Sequence, residues 1–126
     1  MKIHIIGAGV VGRATGEGLR RFGHEIVYSD KGDPYTKVRA PYHLICTPEG
    51  VAPAVVRELA TAYPGSRSEI AIIIRSSIPP GTTDGLAGEM RTPMIHWPEF
   101  LREATAEADF LEARYALLGS PSWQLA

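Results

Sequence analysis

The chain has 126 residues, one domain's worth of protein, which leaves no room for a second full domain beside the first. Thirteen basic against fourteen acidic residues give a formal charge of -1, so there is no basic excess to neutralise the phosphates of a nucleic acid. A hydrophobic share of 44% with 21% charged residues suits a folded globular domain, and no apolar run approaches the ~20 residues of a membrane span.

Residues 2–6 are a short β-branched run and predict a buried strand. Lys2 ahead of this run gives it the look of a leader, but glycines at 7, 9 and 12 and then Arg13 interrupt the apolar stretch, so no signal peptide is expected. Residues 10–22 place Val11, Ala14, Thr15, Gly18, Leu19 and Phe22 at helical spacing, and Gly23 supplies a stop. Residues 25–29 predict a second strand that ends at Asp30. Residues 31–41, with Gly32, Pro34 and Pro41, read as a loop. A third strand is predicted over 43–46, closed by Thr47-Pro48. Residues 51–62 read as a helix with Val51, Val55, Leu59 and Ala62 on its inward stripe. The strongest strand signal is the isoleucine-rich run at 70–74. A loop through Pro79-Pro80-Gly81 leads to a short strand at 94–96. A helix over 98–112 and a last strand at 115–118 complete the pattern.

Strands that are apolar throughout, with helices between them, predict a mostly parallel sheet covered on both faces. The expected fold class is therefore a doubly wound, Rossmann-like α/β fold, a single domain over 1–126. Its ligands should sit beyond the carboxyl ends of the strands, where the strand order reverses.

The first turn carries the most informative local pattern. Gly7-Ala8-Gly9-Val10-Val11-Gly12 fits G-x-G-x-x-G, follows a predicted strand and opens a predicted helix. Gly7 permits the tight turn, Gly9 lets the backbone approach a pyrophosphate, and Gly12 lets helix and strand pack closely. The free N–H groups of the helix start favour an anion. Gly16, one turn beyond Gly12, extends the close packing. Asp30 lies eighteen residues after Gly12, where a carboxylate can accept both ribose hydroxyls of an adenosine and repel a 2′-phosphate. That favours NAD over NADP, with Lys31 softening the preference; the alternative is that Asp30 merely closes a strand-end turn. A P-loop is excluded because Arg13-Ala14 stands where Lys-Ser/Thr is required.

Three further segments fall at predicted strand ends: Cys46-Thr47-Pro48, Arg75-Ser76-Ser77-Ile78-Pro79-Pro80-Gly81-Thr82-Thr83, and Pro98-Glu99-Phe100-Leu101-Arg102-Glu103. All would converge on the cofactor crevice. In the predicted helix Glu99 and Glu103 share a face near its start, and Glu107 continues the stripe. The plain alternative is a solvated acidic face.

The order and wording of these segments resemble the UDP-glucose/GDP-mannose 6-dehydrogenase family, specifically its N-terminal NAD-binding domain. The resemblance runs from Lys2 to about Gly119, and its most specific parts are the Ser-Ser-Ile-Pro-Pro-Gly-Thr-Thr stretch and Pro98 to Glu103 with the downstream Asp109-Phe110. It implies an oxidoreductase that uses NAD to oxidise a sugar nucleotide. By position, Gly7, Gly9, Val10, Val11 and Gly12 would form the pyrophosphate loop, Asp30 would hold the adenosine ribose, and Thr47 and Pro48 would line the adenosine side. Ser76 is counted with this cofactor set. Ser77 stands where the family usually has a threonine that orders a catalytic water. Glu99 matches a glutamate of the water-activating network, and Glu103 one near the nicotinamide and substrate. Hydroxyl and carboxylates are the groups that hold and deprotonate water.

The departures are as informative. The family's nucleophilic cysteine, with its lysine and asparagine, belongs to a later Gly-Gly-x-Cys-x-Pro-Lys-Asp-like segment that these residues do not contain. Cys46 sits at a different motif and reads as packing. As the only cysteine it forms no internal disulfide, which predicts a reducing cytoplasm. The stretch from Asp30 to Tyr42 is much shorter than the family's, and Trp97 replaces a usual small polar residue.

No zinc spacing exists, His43 and Cys46 face opposite sides of their strand, and no metal is expected. His96 reads as a satisfied structural histidine, and Trp97, Phe100 and Phe110 as core. The tail from 120 to 126, with Trp123 and Leu125, is a candidate docking segment for a partner or a second copy.

Three readings follow. The chain positions NAD while a separate polypeptide supplies the substrate domain, so that alone it is inactive. Or it is a non-catalytic nucleotide-binding or regulatory module. Or the fold is purely structural, against which the intact glycine loop and Asp30 argue.

Overall fold

The computed structural model describes residues 1–63, 69–114 and 116–121. Five strands, β1 (Lys2–Ile6), β2 (Glu25–Ser29), β3 (Tyr42–Ile45), β4 (Ala71–Ile74) and β5 (Met94–His96), form one parallel sheet in the order β2-β1-β3-β4-β5. Four helices, α1 (Val10–Arg21), α2 (Ala52–Ala62), α3 (Thr82–Met90) and α4 (Ala106–Glu112), cover its two faces. The chain moves outward from β1 in one direction to β2 and in the other to β3, so the strand order reverses between β1 and β3. In a doubly wound sheet that is where a ligand crevice opens. The expected fold class is the one observed.

The two faces follow from the two-residue side-chain period of the strands. Ile6, Ile45, Ile72, Ile74 and Met94 pack with Val56 and Leu59 of α2 and Leu86 and Met90 of α3. Ile3, Ile5 and Leu44 form the other layer with Leu19 of α1, Tyr28, Ile73 and Trp97. On that side α1 is thinned by glycine: a Cβ on Gly16 would meet the Tyr28 hydroxyl at 2.2 Å, and one on Gly18 the Phe110 ring of α4 at 2.1 Å.

Several expectations need correction. The inward stripe of α2 is Ala52, Val56, Leu59 and Ala60, which keeps Leu59 of the predicted set but puts Ala52 and Val56 in place of Val51 and Val55; Val51 is the N-cap and 48% exposed. An offset of one residue turns a helical stripe by about 100°. Phe22, placed on the buried face of α1, lies past the helix end and is 68% exposed. The helix α3 was not expected. Gly85, Gly88 and two threonines give it weak propensity, and only Thr83, Leu86 and Met90 turn inward.

The helix predicted over 98–112 is a 3-10 turn at Glu103–Thr105 followed by α4. Side chains claim the backbone N–H groups ahead of it. The Glu99 carboxylate accepts from the Leu101 N–H at 2.8 Å, and Asp109 accepts from the Arg102 N–H at 2.9 Å. Such local bonds compete with helix formation. The strand predicted at 115–118 is not formed over 116–118, and residue 115 is outside the described residues. Gly119 instead makes an isolated antiparallel bridge with His96. Ser120 is tied to the carbonyl of Met94 at 3.0 Å, while Trp123 and Leu125 lie outside the described residues.

Candidate functional site

The glycine turn is built by close approach. Gly7 has φ +102°, and a Cβ there would lie 2.6 Å from the Cys46 carbonyl oxygen. A Cβ on Gly12 would lie 1.8 Å from the Gly7 carbonyl oxygen. The Gly7 N–H donates to the Ser29 carbonyl at 2.8 Å, and the Cys46 N–H donates to the Ile6 carbonyl at 2.8 Å, locking the ends of β1, β2 and β3 together. Gly9 differs from both. It is the N-cap of α1, has no side chain to cap the helix, and has nothing within 4 Å of the space a Cβ would take. The opening N–H groups of α1 are thus left without a capping side chain, as an anion site requires.

This turn opens onto a cavity of about 730 Å³ at the switch point between β1 and β3. Gly7, Gly9, Val10, Val11, Asp30, Thr47 and Pro48 all line it. Gly12 stands behind them, holding the turn. The Asp30 carboxylate is exposed and accepts a long 3.3 Å bond from the Ala8 N–H, so it faces the glycine turn across the mouth of the cavity. The Thr47 hydroxyl is buried and has no hydrogen-bond partner among the described residues. The wall formed by Lys31, Gly32, Asp33 and Tyr35 was read only as loop. The signal for it was Gly32, whose φ of +89° folds the segment back so that the Asp33 N–H bonds the Asp30 carbonyl at 3.0 Å. The Asp33 side chain in turn accepts from the Asp30 N–H at 2.8 Å. Tyr35 donates its hydroxyl to Glu58, and burial together with that carboxylate pushes its pKa up to about 12.

The other expected residues are placed differently. Ser76 is buried and ties β4 to β3 by donating to the Thr47 carbonyl at 2.5 Å; it is not among the cavity's lining residues. Ser77 is exposed at the end of β4 and Glu99 is half-buried after β5. Glu103 is exposed and lines a neighbouring shallow depression of about 580 Å³ with Arg13 and with Val10, which it shares with the glycine-turn cavity. Because the helix over 98–112 is broken, Glu99, Glu103 and Glu107 do not share a helix face, and Glu107 pairs with Arg21 at 2.8 Å. The described structure does not bring Ser77, Glu99 and Glu103 into one cavity with the glycine turn.

Cys46 lines the cavity through a half-buried residue, but burial pushes its thiol up to about 12, and the nearby Arg75 only partly offsets this. A thiol in that state is a poor nucleophile. His96 hydrogen-bonds the Ser76 carbonyl at 3.1 Å, as a structural histidine would.

No protein-family model matches the sequence, and no curated protein matches it. Solved structures match the fold closely. UDP-D-ManNAc dehydrogenase from Pyrococcus horikoshii superposes with a TM-score of 0.83 at 16% identity, over 100% of this chain and 42% of its own. GDP-mannose dehydrogenase from Pseudomonas aeruginosa, solved as a ternary complex, gives 0.80 at 21% identity, over 98% of this chain and 42% of its own. A reductive aminase from Aspergillus terreus in complex with NADPH gives 0.68 at 16%, over 93% and 45%. The chain therefore spans under half the length of these proteins. The resemblance first read from motifs extends to the whole fold: a Rossmann-like α/β domain shaped like part of nucleotide-sugar dehydrogenases.

Proposed function

We propose that this chain binds NAD(H) as the cofactor domain of a nucleotide-sugar dehydrogenase does, and that it has no dehydrogenase activity by itself. The observation that carries the reading is the open space at Gly9, between the uncapped start of α1 and a cavity that reaches Asp30. A pyrophosphate there would meet backbone N–H groups and no side chain. The Asp30 carboxylate would take the ribose hydroxyls, and the Thr47 hydroxyl, without a partner among the described residues, would meet the adenosine. The residues present thus suit a dinucleotide. Bound NAD would supply the hydride acceptor, which no side chain of the protein can be.

Titration with NADH by calorimetry is expected to show saturable binding; no heat and no thermal shift would overturn the proposal. Asp30→Ala should weaken that binding by about 1–3 kcal/mol, the usual loss when a polar group is left unmet. NADPH should bind at least about tenfold more weakly than NADH, because its 2′-phosphate would face the Asp30 and Asp33 carboxylates against Lys31 alone. Equal affinity would remove the case for NAD over NADP.

Inactivity follows from the thiol inventory. Cys46 is the one cysteine in the sequence, and it is half-buried with its thiol pKa pushed up. The purified chain with NAD and UDP-glucose or GDP-mannose should form no NADH, and measurable turnover would show the reading wrong. On this reading Ser77, Glu99 and Glu103 hold and activate water only after a separate polypeptide brings the nucleophile and substrate. A second reading, a nucleotide-binding or regulatory module without chemistry, is favoured by the separation of those three residues. NADH formation on adding a polypeptide with the Gly-Gly-x-Cys segment would decide for the first.

A further inference from the structure

Arg75 directly follows β4, on the side of the sheet that carries α1 and α4. It is 3% exposed, yet its Nε and Nη1 are buried with no hydrogen-bond partner among the described residues. Its guanidinium carbon lies 4.0 Å from the centroid of the Trp97 ring and 5.9 Å from that of Phe110. Burial lowers its pKa, and the neighbouring Cys46 and Glu99 oppose that shift. A guanidinium nevertheless keeps its charge in a protein. A buried cation with unmet N–H groups is costly unless an anion pairs with it.

The surroundings say what kind of anion. Arg75 lines a cavity of about 680 Å³ that shares no lining residue with the glycine-turn cavity. Its walls include Trp97 and Phe110, and its rim includes Phe22, Phe100 and Leu117, which are 68%, 69% and 59% exposed. Among its charged groups Arg75, Arg102 and Arg114 face Asp109 and Glu112. Arg102 is already committed, with its Nη2 2.6 Å from Asp109 Oδ1. Glu99 also acts on Arg75, so the charges of the described residues about the guanidinium balance three to three, and the site carries no excess to hold a phosphate dianion; the unmet N–H groups of Arg75 suit a monoanion better. A planar carboxylate matches the guanidinium, and an apolar body matches the aromatic walls.

We propose that this cavity is a binding site for a small monocarboxylate with an aromatic or aliphatic body. The carboxylate pairs with Arg75, and the body lies against Trp97 and Phe110 with Phe22 and Phe100 at the mouth. The site does not depend on dinucleotide binding at the glycine turn.

The test uses 3-phenylpropionate and its neutral counterpart 3-phenylpropan-1-ol on the whole chain. Binding is followed by calorimetry and by ¹H–¹⁵N spectra that report the Trp97 indole. The acid should bind saturably, at least tenfold more tightly than the alcohol, with the Trp97 indole signal moving. Saturating NADH should not displace it. Arg75→Met should abolish the acid's advantage. If that variant fails to fold, the acid-to-alcohol ratio in the unaltered protein decides alone. Equal affinity for acid and alcohol, no saturable binding of the acid, or an unmoved Trp97 indole would overturn the proposal. Tighter binding of inorganic phosphate would overturn the ligand class, and displacement by NADH would assign Arg75 to the dinucleotide site. A chain that failed to bind NADH but still preferred the acid would sink the dinucleotide reading and keep this one.

Discussion

Gly12→Ala is expected to destabilise the fold by about 3–5 kcal/mol and to abolish NADH binding, whereas Gly9→Ala should weaken binding and leave the fold intact. The two positions lie three residues apart in one turn and differ in what surrounds them. At Gly12 the new Cβ would meet the Gly7 carbonyl oxygen at 1.8 Å. That oxygen cannot retreat, because Gly7 is itself packed on the Cys46 backbone and tied to the Ser29 carbonyl. Alanine's better helix propensity, about 1 kcal/mol, offsets only part of the clash. At Gly9 the same methyl would meet no protein atom, so stability should stay within about 0.5 kcal/mol of the unaltered chain. It would occupy the place a pyrophosphate needs, and NADH affinity should fall at least about tenfold. Urea unfolding and NADH titration of both variants check this. A Gly12→Ala protein as stable as the original would overturn the packing argument. A Gly9→Ala protein that binds NADH unchanged would overturn the placement of the pyrophosphate and leave the packing argument standing.

The contrast also shows what could be read from the sequence. A G-x-G-x-x-G turn specifies backbone, and backbone demands survive translation into three dimensions with little help from distant residues. Asp30, Thr47 and Pro48 join the glycines for a similar reason. Each stands within three residues of a strand's carboxyl end, and a parallel sheet gathers those ends wherever the helices lie. Ser77, Glu99 and Glu103 required more. The shared face of Glu99 and Glu103 assumed a continuous helix from 98, and that helix is interrupted by carboxylates that take backbone N–H groups two and seven residues away. Helical periodicity carries no record of such bonds. The failure at α3 has the opposite origin: a helix of low propensity is held by Leu86 and Met90 against the sheet, so packing overrides local preference. Arg75 was legible only as a member of the strand-end segment. Its burial against Trp97 depends on α4 and could not be read from spacing.

The pairing of His4 with His43 is the largest feature that no local pattern announced, and it leads to the second strong expectation: the protein should lose on the order of 3 kcal/mol of stability between pH 6.5 and pH 4. The two residues stand opposite each other on β1 and β3, both fully buried. Their Nδ1 atoms are 2.8 Å apart, and His4 Nε2 is 2.8 Å from the Ser29 hydroxyl. One ring must therefore present a bare Nδ1 to the N–H of the other. Burial lowers the pKa of His4 to about 4, with smaller contributions from His43 and Lys2. Burial likewise lowers His43 to about 4, opposed by the Ala40 carbonyl and aided by Arg39. Both folded values lie below the ordinary histidine value of 6.5, so the unfolded chain takes up protons first as the pH falls. The stabilisation is complete above pH 6.5 and is lost progressively down to about pH 4. Protonating both rings would also set two N–H groups against each other where one bond now exists. Asp109, held well below the usual carboxylate range by Arg102, titrates beneath this window and does not mask it. Urea midpoints at pH 7.5 and pH 4.5 provide the measurement. The double variant His4→Leu/His43→Leu should flatten most of the difference, since replacing both partners by apolar groups removes the titration without leaving either ring unpaired. Equal midpoints at the two pH values in the unaltered protein, or an undiminished difference in the double variant, would show that the buried pair does not govern acid stability.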